Sequence, residues 1–202
     1  MKLLIGVPTA GRVRTETFTG LYQLRIPKKI KTHTLEFTDG YGVAQARNII
    51  AAKALQGGHD YALFVDSDII LPPDALEQLL AQKTDIAAGW YPCLFHDGTQ
   101  DHSWVKYDAA ANAYVCRWAG YGNLEPRAVI DIDACGFGCV LVKTSVFKRL
   151  PYPYFKYVEY PNGAVLAEDL YFCDLVRRVL PDVRIRGLRA VKCGHVKQQI
   201  LL

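Results

Sequence analysis

The stretch YALFVDSDIILPP, residues 61–73, decides how the rest of the chain is read. YALFV is a continuous apolar run of strand length, as a strand covered on both faces of a parallel sheet requires. It then meets two carboxylates, Asp66 and Asp68, with Ser67 between them, and closes on Pro72 and Pro73. If the extended conformation persists through Ser67, the strand period of two points residues 66 and 68 to one side. Like charges that close want a cation or hydrogen-bond donors between them. Hard divalent ions such as Mg2+ or Mn2+ prefer such oxygen ligands and bridge to phosphate oxygens. Aspartate is also common where a solvated strand turns, so the pair alone leaves both readings open.

Outward from this strand the pattern alternates. KLLIGV (2–7) reads as a buried strand ending at Pro8-Thr9-Ala10-Gly11, and residues 33–38 read as a second. VAQARNIIAAKALQGG (43–58) has apolar residues at Val43, Ala46, Ile50 and Ala54 and closes on Gly57-Gly58, which predicts a helix. Pro73 suits the first turn of a helix over PDALEQLLAQ, with Leu76, Leu79 and Leu80 as its buried face. IAAGWY (86–91) is a further strand. SWVKYDAAANAYVCRW reads as two strands around an alanine-rich turn, and VIDID and GCVLVK add two more. A helix over 167–180 carries Leu170, Cys173, Val176 and Leu180 on one face and Glu168 and Asp169 in its first turn, where carboxylates suit the helix dipole. VRIRGL is a last strand, followed by VKCGHVK. The expectation is one α/β domain over residues 1–202, with a mixed, mainly parallel central sheet and a smaller antiparallel portion.

Composition bounds the function. With 202 residues, half of them hydrophobic, the chain can bury one substantial core. It has no run of about 18 apolar residues, and the start turns to Pro-Thr-Ala-Gly too early for a signal-peptide core, so a soluble, cytoplasmic protein is expected. Six cysteines among apolar neighbours read as buried thiols; the sharper alternative is a zinc site from Cys135, Cys139, Cys193 and His195. The net charge of +4 is unevenly spread. Basic residues crowd Arg12–Lys31 and Arg184–Lys197, and would make a rim suited to phosphates if the two segments meet.

The order PTAGR, ARN, Asp-Ser-Asp, GFGCVLV, Glu168-Asp169 and a late histidine resembles glycosyltransferase family 2 and its GT-A-fold neighbours, from Val7 to His195. The resemblance implies a metal-dependent enzyme that moves a sugar from a nucleotide-diphosphate sugar, UDP- or GDP-linked, to an acceptor hydroxyl on a glycan, protein or modified nucleic acid, with inversion. It divides the domain into a nucleotide-binding half (1–92) and an acceptor-side half (93–202). Pro8 and Thr9 match the loop under the base, with Arg12 beside them. Arg47 and Asn48 match the ARN segment by the nucleotide, and Asp66 with Ser67 the part of the DxD motif near the ribose. Asp68 matches the ligand of Mn2+ or Mg2+, completed by His195. Asp169, with Glu168 second, matches the general base that takes the acceptor proton, which a poorly nucleophilic sugar hydroxyl needs. Gly136 and Gly138 match the wall of the acceptor side. One departure is that EFTDGYGVAQARN goes straight from strand to helix where the family has a further helix and strand; Asp39 is left as the candidate base reader. Two other readings stand beside this one. The first is nucleotidyl transfer, for which PTAGRVR would be the phosphate loop. The second is a non-catalytic nucleic-acid or glycan-binding module using Trp90, Tyr91, Trp104, Tyr152, Tyr154, Phe155 and Tyr157.

Overall fold

Apolar residues alternate along the central strands, and the chain folds so that both sets are covered. The structure is a computed structural model that describes residues 1–94, 100–111, 113–115 and 125–196. In β3 (Tyr61–Val65), Ala62 and Phe64 join one core cluster while Leu63 and Val65 join the other. β12 (Cys139–Lys143) repeats this, with Val140 and Val142 on the first side and Cys139 and Leu141 on the second. The first core is closed by α2 (Val43–Gln56), α4 (Thr144–Arg149) and α5 (Glu168–Val179). The second is closed by α1 (Thr15–Tyr22) and α3 (Ala75–Ala81). Helices on both faces of one sheet explain why the central strands are apolar throughout.

The seven-stranded sheet has the order β10-β15-β5-β12-β3-β1-β2, with β1 Lys2–Pro8, β2 Thr32–Thr38, β5 Ile86–Trp90, β10 Val129–Ile132 and β15 Ile185–Lys192. β1 is parallel to both β2 and β3, and β15 is parallel to β5; β12 runs antiparallel between β3 and β5, and β10 antiparallel to β15. All strands except β10 and β12 therefore point the same way, so the sheet is mixed and mainly parallel. β3 is central but has one antiparallel neighbour. Smaller antiparallel pairings flank it: β8 (Trp104–Asp108) with β9 (Ala113–Val115) and β11 (Ala134–Cys135), and β13 (Val158–Glu159) with β14 (Val165–Leu166). β6 (Pro92–Leu94) pairs with β7 (Gln100–His102).

Several expectations shift. Pro72 and Pro73 lie in the turn before α3, whose N-cap is Asp74, so Pro73 is not in the helix. α1 has three threonines and a glycine in TETFTGLY, which hides it from propensity. His195 does not hang in a tail. It belongs to β16 (Gly194–His195), which pairs antiparallel with β4 (Ile69–Ile70) just past Asp68. The basic segments meet only in part: Arg14 and Val196 bond the backbone of Ser67 and Asp68, whereas Lys28, Lys29 and Lys31 lead into edge strand β2 and Arg184 and Arg186 enter β15, five strand positions away. At the usual strand spacing that is about 24 Å. No helix among the described residues is long and apolar enough to cross a membrane.

Candidate functional site

The C-terminal ends of the parallel strands and the start of β12 come to one end of the sheet, where open α/β sheets bind ligands. Thr9 follows β1, Asp66–Asp68 follow β3, Tyr91 follows β5, and Gly136–Gly138 precede β12. Backbone bonds tie these segments together. Thr9 N–H donates to Thr38 O (3.0 Å), Arg14 N–H to Ser67 O (2.9 Å), Asp66 N–H to Gly138 O (3.3 Å) and Val196 N–H to Asp68 O (2.8 Å).

At the centre is Arg47 of α2, with only 3% of its side chain exposed. Its Nη2 bonds Asp66 Oδ1 at 2.7 Å, its Nη1 pairs with Glu168 Oε1, and its guanidinium lies over the Phe137 ring. Beneath are Phe155 and Phe172, stacked at 4.9 Å. Burial alone would lower the Arg47 pKa, but Asp66, Asp169 and Glu168 outweigh it and hold the group charged. One guanidinium thus serves three carboxylates. Asp169 bears the imbalance: burial, with Glu168 and Asp66 adding, raises its pKa to about 6, while Arg47 and the Leu170 N–H pull it back. Such a carboxylate is ionised at neutral pH yet basic enough to take a proton. Glu168 is more committed, since it is buried and paired directly with Arg47 Nη1.

Asp68 and His195 form the second group. His195 Nδ1 lies 2.7 Å from Pro92 O and Nε2 lies 3.2 Å from Asp68 Oδ2. A carbonyl only accepts, so Nδ1 carries the proton. In a neutral ring Nε2 then turns a lone pair toward a carboxylate oxygen, and a proton or a metal cation must lie between them. No group of three or more His, Cys, Asp or Glu side chains among the described residues is arranged to hold a metal.

Sequence reasoning names Tyr91 only as a stacking aromatic of the binding-module reading. Its ring meets His195 edge-on at 5.2 Å, and its hydroxyl accepts from Gly138 N–H at 3.3 Å. A Cβ on Gly136 would lie 2.2 Å from that hydroxyl and 3.7 Å from Asp169 Oδ2, so only glycine lets β12 pass so close. Burial, then Asp66, Cys93 and Asp169, pushes the Tyr91 pKa well up and keeps the phenol neutral.

Beside these groups is a cavity of about 240 Å³ lined by Pro8, Thr9, Tyr41, Asp66, Ser67 and Asp68, among others. Tyr41 was not foreseen; it lies just past Asp39-Gly40 in the short link from β2 to α2. Arg12 and Asp39 do not line the cavity. Arg12 N–H bonds Thr9 Oγ1, and Asp39 lies against Gly11.

No family model matches the chain, and no curated protein matches its sequence. Solved structures do. A197 from STIV superposes with a TM-score of 0.63 at 19% identity, over 98% of this chain and 87% of that one. GalNAc-T7 crystallised with UDP, GalNAc and Mn2+ gives 0.65 at 10% identity, covering 99% of this chain and 44% of that one. S. aureus TarS 1-349 in complex with UDP-GlcNAc gives 0.55 at 15% identity, covering 98% and 59%. The chain has a GT-A fold. It spans about half the length of the latter two glycosyltransferases, and at these identities the likeness is one of fold.

Within the GT-A frame other sequence-based candidates fall away. Asn48 is a clamp: Nδ2 donates to Ala44 O and Phe155 O, and Oδ1 accepts from Tyr154 and Phe155 N–H. The zinc set is divided by the sheet, because Cys135 packs with Cys173 in one core and Cys139 with Cys193 in the other. Trp90, Tyr91, Trp104, Tyr154 and Phe155 are buried, which leaves Tyr152 and Tyr157 as the exposed aromatics of the proposed stacking set.

Proposed function

We propose that the protein transfers a sugar from a nucleotide-diphosphate sugar to an acceptor hydroxyl. The observation that carries this reading is the convergence, at one end of a GT-A sheet, of the Asp68–His195 pair, the Arg47-held carboxylates and Asp169, beside a cavity lined by Asp66 and Asp68. Neighbours of this fold crystallised with UDP or UDP-GlcNAc support a nucleotide-sugar donor, UDP-linked rather than GDP-linked.

The nucleotide takes the cavity at Pro8, Thr9 and Ser67, with the Tyr41 ring available to the base and Asp66, oriented by Arg47, near the ribose. The Asp68 carboxylate and His195 Nε2 fit a divalent ion: they are an oxygen and a nitrogen donor facing each other, and the imidazole favours Mn2+ over Mg2+. Such an ion, when bound, neutralises charge on the leaving diphosphate. Pro92 O fixes the His195 tautomer, and Tyr91 packs edge-on against its ring. Asp169 takes the acceptor proton; Glu168, tied to Arg47, orients rather than reacts. Attack opposite to the leaving group inverts the anomeric centre.

Incubation of the protein with UDP- and GDP-linked sugars and Mn2+ tests this. Release of the nucleoside diphosphate, lost in Asp68→Asn and in Asp169→Asn when an acceptor hydroxyl is supplied, is the expected result. Pyrophosphate from a nucleoside triphosphate instead would make the protein a nucleotidyltransferase.

A further inference from the structure

A cavity larger than the one beside Asp66 lies elsewhere on the molecule. It has a volume of about 800 Å³ and lies between the β8–β9 hairpin, the β13–β14 hairpin and one flank of α5. That volume is within the range of about 300–1,000 Å³ usual for small-ligand sites. Leu170, one residue past Asp169, and Arg178 both line it. At 1.5 Å per residue, Asp169 and Arg178 are about 13 Å apart along the helix. The cleft thus runs along α5 from the residue next to the reacting carboxylate to Arg178.

Its walls are preset. Asp174 accepts from Tyr114 Oη (3.1 Å), Arg177 Nη2 (2.8 Å) and Arg178 Nε (2.7 Å). Tyr107 meets Tyr114 edge-on at 5.3 Å, and the Arg177 guanidinium covers the Tyr107 ring at 4.0 Å. Across the cleft, Tyr160 is about half exposed on a tight turn closed by Gly163 N–H to Tyr160 O and Ala164 N–H to Asn162 Oδ1. Ala111, Ala113, Val165, Leu166 and Leu170 complete the lining, so the cleft is more apolar than polar. Three tyrosine rings share it with one fixed ion cluster, in which a carboxylate offsets one of the two guanidiniums.

We infer that this cleft is the acceptor subsite and that it binds a carbohydrate chain. The assignment rests on the transferase reading above, which it deepens. A sugar ring presents an apolar C–H face to an aromatic ring and a rim of hydroxyls to fixed polar groups, which is the pattern of these walls. A nucleic-acid strand would want a run of unpaired cations, but both arginines here are tied to Asp174. A chain bound along α5 delivers its terminal hydroxyl at Leu170, beside Asp169.

The test needs no donor. The full chain is applied to a printed glycan array, alongside a single-stranded RNA and an unstructured peptide. Binding to array glycans, weakened at least tenfold in Tyr160→Ala and in Arg178→Ala but kept in Tyr22→Ala on the far side of the molecule, is expected. A silent array, glycan binding indifferent to Tyr160 and Arg178, or a cleft that takes the RNA or the peptide instead would overturn the assignment. Donor cleavage with a silent array sinks the cleft alone. Glycan binding through Tyr160 without donor cleavage leaves the cleft and sinks the transferase reading.

Discussion

Arg47 is the residue on which the site turns. Its guanidinium is buried and satisfies Asp66 and Glu168 at once, so removing it leaves carboxylates in a low-dielectric setting with nothing to neutralise them. Arg47→Met should cost about 3–5 kcal/mol, measured by urea unfolding at pH 7. Asp169 makes a separate prediction. In the folded chain it keeps its proton up to about pH 6, against an ordinary value of 3.8. The native state therefore binds more protons than the unfolded one between these values, and stability falls as pH rises through that window. Asp169→Asn removes the fall, so its gain in stability over the parent should be larger at pH 8 than at pH 4. In the parent, the acid limb of kcat/KM should be centred near pH 6. The carboxylates were legible because each sits in a short local motif. The part Arg47 plays was not, since nothing local says that a helix arginine faces two acids, one of them 121 residues away.

Elements position these residues through contacts that local pattern does not contain. β5 and β12 are neighbours, so Tyr91 at the end of one lies on the glycines leading into the other. IAAGWY reads as a strand, and its aromatics suggest a stacking surface rather than a packed wall beside His195. Gly136→Ala should drive a methyl into the Tyr91 hydroxyl at 2.2 Å and lower Tm. In a Tyr91→Phe background the nearest atom becomes Cζ at 3.2 Å, so much of that loss should be recovered. A double-mutant cycle by thermal unfolding reads this coupling directly. Asn48 is the converse case, because the ARN segment reads as a helix beside the nucleotide pocket, while the Asn48 side chain is spent on backbone groups. Its carboxamide joins α2 to residues 154 and 155, and Asn48→Ala would strand two buried N–H groups and a carbonyl. At about 1–3 kcal/mol per unsatisfied group, the loss should exceed 2 kcal/mol in urea unfolding.

At the scale of the molecule, the strands that read as continuous apolar runs made the α/β class legible, whereas the returns that complete the site are long-range. The chain passes through β15 and, beyond Cys193, adds β16 to β4, which sets His195 against an aspartate 127 residues earlier. Sequence could place His195 in a motif but not on a strand, because a two-residue pairing carries no periodicity. The consequence is that the seven-stranded sheet and the second group of the site can be separated. A chain ending at Cys193 keeps every strand of the main sheet, since β15 ends at Lys192. It should unfold cooperatively, with far-UV circular dichroism close to the parent's. What it should lose is metal-linked donor binding: in the parent, UDP-sugar with Mn2+ should raise Tm and EDTA should reverse the rise, by mass action on the folded state. The shortened chain, and His195→Ala in the full one, should show little of that Mn2+-dependent rise. An undiminished rise in both would mean that the ion, if one binds, is held without His195.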